Sequence, residues 1–80
     1  MMKAYVLIRV TTGKEKQVMQ ALLDIPNIND VNVLFGDYDY MIEVEAADSF
    51  ALGRLITDQI RKVNGVEKTM TLMVTSIGNV

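Results

Sequence analysis

Eighty residues, half of them hydrophobic and free of low-complexity tracts, make one ordered globular domain. A net charge of −2, with eight basic residues scattered among ten acidic ones, argues against direct nucleic-acid binding, which shows as a clustered basic patch. The lack of cysteine and histidine excludes disulfides, zinc sites, thiol nucleophiles and imidazole bases, and a small chain without disulfides fits the cytoplasm better than secretion.

The chain opens on KAYVLIRVT, residues 3–11, in which Ala4, Val6, Ile8 and Val10 alternate with Tyr5, Leu7 and Arg9. This period of two predicts a strand, and its apolar run is too short for a signal peptide or for the ~20 residues of a membrane span. Thr12-Gly13 breaks it. KEKQVMQALLD, residues 14–24, is built of good helix formers, with Thr12 as expected N-cap and Glu15 completing a capping box. Val18, Ala21, Leu22 and Ile25 form one stripe, so this helix covers a sheet, and Pro26-Asn27 ends it.

DVNVLFG and MIEVEA then flank the stretch Gly36-Asp37-Tyr38-Asp39-Tyr40. Gly supplies positive φ and Asp tolerates turn geometry, so GDYDY predicts a hairpin corner that holds two tyrosines and two carboxylates at the end of a sheet. Such groups on a rigid scaffold can hold a small ligand; the plainer reading is a solvated turn whose tyrosines finish the core. Asp48-Ser49 offers a second N-cap, and Leu52, Leu55, Ile56, Ile60 and Val63 follow at helical spacing until Asn64-Gly65. The last strand, VEKTMTLMVTS, sets Val66, Lys68, Met70, Leu72 and Val74 against Glu67, Thr69, Thr71, Met73 and Thr75.

Two βαβ units joined by a central hairpin predict an α+β, ferredoxin-like βαββαβ fold: a four-stranded antiparallel sheet with two helices on one face. On the other face Tyr5, Leu7, Leu34, Met41, Thr69, Thr71 and Met73 are expected to form an apolar patch that a second copy covers. A domain this small buries only about two-thirds of its unfolded surface, so oligomerisation would add to its stability.

Catalytic candidates are sparse. Asp37 and Asp39, at i and i+2 across a turn, are expected to splay toward solvent rather than work as a carboxylate pair, and Ser49 and Ser76 have no base. Asp37, Asp39 and Glu43 supply too few oxygens for a calcium site, and Gly36 leads into a strand rather than a helix, so no phosphate loop is present. No catalytic residue, metal or cofactor is therefore expected.

GDYDYMIEVEAADSFALGRLI followed by IRKVNGVEKTMTLMV resembles the C-terminal ligand-sensing (RAM) domain of the leucine-responsive/asparagine-regulator, or Lrp/AsnC, family of transcription regulators. The resemblance covers nearly the whole chain and rests on a G-x-Y-D corner (Gly36, Tyr38, Asp39), on Asp48 before the second helix, and on a GV-x-x-T-x-T entry to the last strand (Gly65, Val66, Thr69, Thr71). It implies a single sensing domain over residues 1–80, without the family's DNA-binding domain. It implies an amino-acid effector held near the corner by Gly36, Tyr38, Asp39, Thr69 and Thr71, homodimers that join through their sheets into rings, often of four dimers, and a possible full-length regulator as partner. Chemistry agrees: the ammonium of an amino acid wants a carboxylate such as Asp39, and its carboxylate wants N–H groups or hydroxyls such as those of Gly36, Thr69 and Thr71. Two other readings stay open, a small dimeric α/β-barrel-type enzyme and a structural interaction module without a ligand.

Overall fold

The strands, numbered along the chain, are β1 (Met2–Val10), β2 (Ile28–Val33), β3 (Tyr40–Ala46) and β4 (Val66–Met73), and the helices are α1 (Glu15–Leu23) and α2 (Ser49–Leu55). They come from a computed structural model that describes residues 1–75; Ser76 lies outside the described residues. The sheet order is β2-β3-β1-β4 and every neighbouring pair is antiparallel, which is the expected ferredoxin-like arrangement.

The period of two decides the core. Ala4, Val6, Ile8 and Val10 of β1 and Tyr40, Ile42, Val44 and Ala46 of β3 are all buried on one face, against Val18 and Leu22 of α1 and Leu52, Leu55 and Ile60 beyond them. Fully burying each such aliphatic side chain contributes about 1.5–3 kcal/mol, so the two central strands and these helix residues carry the fold. Among the described residues, no helix covers the opposite face.

Helix α1 starts later than the sequence suggests. Lys14 occupies its N-cap without a side-chain bond, and Glu15 reaches back to accept from Gly13 N–H at 3.0 Å, so the expected Thr12 cap does not form. A turn at Thr12-Gly13 separates Thr12 from the helix and leaves its hydroxyl out of reach of the first amides. Asp48 does cap α2, accepting from Ala51 N–H at 2.8 Å. That helix does not continue evenly to Val63: from Ile56 to Ile60 it widens into a π turn, closed by Arg61 N–H donating to Ile56 C=O at 2.9 Å.

Strand β4 faces the opposite way from the sequence expectation. Thr69 and Thr71 pair with Ile8 and Val6, and Met73 with Ala4, so these three share the helix side; Lys68, Met70 and Leu72 pair with Arg9, Leu7 and Tyr5 on the open side. The cause is a bulge. Lys68 is opposite Arg9 but Val66 is opposite Val10, so Glu67 is an extra residue, and one extra residue moves every side chain beyond it to the other face.

Candidate functional site

The GDYDY corner is fastened to three consecutive residues of β1. Asp39 N–H donates to Ile8 C=O at 2.9 Å, Arg9 Nε donates to Asp37 C=O at 2.9 Å, and Val10 N–H donates to Asp39 Oδ2 at 2.7 Å. Leu34 N–H donates to Asp39 C=O at 2.9 Å and closes the turn itself. The Arg9 guanidinium also stands over the Tyr38 ring, 5.7 Å from its centroid, a cation–π contact.

Within this frame Gly36 and Asp37 are exposed while Tyr38 and Asp39 are half-buried. Gly36 has φ +157°, the positive φ expected there and a conformation that side-chain-bearing residues rarely adopt, although nothing lies within 4 Å of the place a Cβ would take. The corner therefore combines a glycine-favouring backbone at Gly36 with its bonds to β1. Tyr40, the last residue of the corner, points the other way, into the core, and donates its hydroxyl to Glu15 C=O at 2.7 Å, tying the first turn of α1 to this end of the sheet. Burial raises its hydroxyl pKa above the usual tyrosine value, and the charges of Glu15 and Asp39 add to the shift.

The sequence-derived site residues fall into two groups. Gly36, Tyr38 and Asp39 lie together in the corner. Thr69 and Thr71 lie on β4, with β1 between them and β3; Thr69 shares the cross-strand row Tyr40–Ile8–Thr69 and Thr71 the row Ile42–Val6–Thr71. Two strand spacings, roughly 10 Å, separate these threonines from β3.

Glu43 belongs elsewhere. It accepts from Asn29 Nδ2 at 3.0 Å and from Tyr5 Oη at 3.2 Å, with Lys3 Nζ at 3.7 Å, on the open face. The Asn29 bond in particular holds its carboxyl below the usual glutamate range. Among the described residues no three acidic side chains gather as a cation site. Two concavities lie away from the turn: one of about 380 Å³ between Asn27, the Ala46–Ala47 end of β3 and Arg54, and one of about 320 Å³ beside Arg61, Lys68 and Thr69.

Sequence reasoning missed Arg9. Its alternation marks an open-face residue, but its grip on Asp37 and Tyr38 depends on the antiparallel partner of β1, which local pattern does not reveal.

With this geometry in place, residues 3–77 match the family model of the Lrp/AsnC ligand binding domain. The chain belongs to that family. The HTH-type transcriptional regulator FL11 of Pyrococcus furiosus is 32% identical over 74 residues, which are 92% of this chain and 48% of the regulator. This Lrp/AsnC chain spans about half the length of the curated regulators it matches. The crystal structure of FFRP-DM1 is similar with a TM-score of 0.88 at 34% identity, covering 92% of this chain and 99% of that one. A transcriptional regulator of Neisseria meningitidis solved as an L-Met complex shares the fold, with a TM-score of 0.86 at 17% identity over 94% of this chain and 50% of its own. A shorter stretch of 57 residues, 71% of this chain, is 40% identical to a part making up 12% of the homocitrate synthase of Sulfurisphaera tokodaii.

Proposed function

We propose that this Lrp/AsnC domain is a non-enzymatic amino-acid sensor that acts in transcriptional regulation of amino-acid metabolism, by itself or by assembling with full-length regulators. The observation that carries the reading is the corner: an exposed Gly36 backbone, an aromatic ring at Tyr38 and a carboxylate at Asp39 that spends one oxygen on Val10 N–H and keeps the other for an ammonium group. Support comes from the family, from the regulators among its relatives and from the L-Met complex of a protein with the same fold. Thr69 and Thr71 enter the site only as a second wall, across β1 from Asp39.

A second copy covers the open face. Leu7, Met41, Met70 and Leu72 form its apolar stripe, and Met70 and Leu72 are 43% and 50% exposed in the single chain. The homodimer then builds a ring of up to four dimers in the cytoplasm, with the effector between dimers and no contact of this chain with DNA.

Calorimetric titration of the purified protein with each of the twenty amino acids tests the reading. Saturable binding of one or a few is expected; none at millimolar concentration leaves the structural-module reading in its place.

A further inference from the structure

The corner offers Asp39 to an ammonium group, but a free amino acid carries a carboxylate as well, and the threonines assigned to it lie beyond β1. The guanidinium that grips the turn is Arg9. Its Nε is taken by Asp37 C=O and its face by Tyr38, while Nη1 and Nη2 have no hydrogen-bond partner among the described residues. Directly opposite on β4 is Lys68, and two like charges in one cross-strand pair repel each other. The ion pairs among the described residues are Lys3–Glu43 and Arg54–Asp58, so none of their carboxylates lies within 4.0 Å of either Arg9 or Lys68. An anion set against this pair would relieve the repulsion and find two parallel N–H donors waiting.

We propose that Arg9 binds the carboxylate of the amino acid whose ammonium Asp39 receives, with Lys68 adding attraction from the neighbouring strand. The assignment rests on the amino-acid reading above and extends it to a residue outside the corner motif. Arg9 and Val10 are adjacent on β1, so one short piece of strand fixes the positions of both the cation and the carboxylate. An amino acid then engages both groups, whereas a plain amine or a plain acid engages only one.

The test is a cycle of two removals. Wild type and Arg9→Gln are titrated calorimetrically with the twenty amino acids, and then with the best binder and the amine that remains when its carboxyl group is taken away. Arg9→Gln should weaken the amino acid at least tenfold more than it weakens the amine, so that the two removals do not add. Arg9→Lys, which keeps charge but loses the fork, should fall between.

Equal losses for amino acid and amine would overturn the assignment, because they would make Arg9 a residue that only positions the turn. Unchanged affinity for both would overturn it too. Wild type that binds none of the twenty amino acids would remove the sensor reading and this assignment together, a result distinct from binding that ignores Arg9.

Discussion

The Asp39 carboxylate accepts the Val10 amide at 2.7 Å, and through that bond the proposed ligand group is also a structural one. Substituting Asn keeps an acceptor of the same shape, whereas Ala leaves a half-buried N–H without a partner. Asp39→Asn is therefore expected to hold its melting temperature while weakening amino-acid binding about tenfold to a hundredfold, the worth of a charge-assisted bond. Asp39→Ala should lose binding and, in addition, about 1–3 kcal/mol of stability. Calorimetric titration beside thermal melts separates the two; full affinity in Asp39→Asn would make the carboxylate a fastening alone.

Tyr40 sets an alkaline limit. Its hydroxyl is neutral and donating in the fold, while in the unfolded chain it ionises at the ordinary tyrosine value of 10.0. Its folded pKa is raised, so the contribution is complete below pH 10 and is lost as the pH climbs from there toward the folded value. Tyr40→Phe should cost about 1 kcal/mol at neutral pH by losing the bond to Glu15 C=O, and should flatten the decline above pH 10. Urea titrations at several alkaline pH values read both effects.

Gly65 and Gly36 make a contrast. At Gly65, φ is +108° and a Cβ would stand 2.7 Å from Val18 Cγ2, so Gly65→Ala combines backbone strain with overpacking against α1. A loss of about 2 kcal/mol or more is expected. Gly36→Ala is strained in its backbone but meets open space, and should cost less than Gly65→Ala, about 1 kcal/mol. Chemical denaturation of the two variants, if it ranked them in the reverse order, would refute the account of both turns.

The open face gives an assembly test. Leu72→Lys adds a charge beside Tyr5 in the middle of that face, yet Leu72 is half exposed in the single chain, so the monomer fold should survive. Wild type is expected to scatter light as a dimer or a multiple of it at micromolar concentration, and the variant as a monomer, since an unpaired buried charge costs several kcal/mol. A wild-type monomer would dispose of the proposed interface.

The alternation of β1 and β3 was enough to find the fold, because each strand is apolar on the helix side for its whole length. Asp48 was readable as a cap since its partner, Ala51, is three residues away. What escaped was whatever depended on distant chain. The π turn at Ile56–Ile60 leaves the apolar spacing of a normal helix almost intact, and the Thr12 cap looked sound because Glu15 stood at the right interval, though its partner turned out to be Gly13. At the corner, Gly36, Tyr38 and Asp39 were legible as a group, yet the residues that hold them, 8–10, lie some thirty positions earlier. The threonines were found as residues and misplaced as a face, since Val66 does pack on the core and counting by twos from it passes straight over the bulge.

That bulge makes pairing register, rather than residue identity, the determinant of what the sheet displays. Were Glu67 to pair with Arg9 instead of bulging, then without altering any letter the hydroxyl-bearing row of β4 would turn outward while Met70 and Leu72 turned in. Substitutions along this strand adjust a surface by degrees, but a one-residue slip of its pairing with β1 would exchange one surface for another.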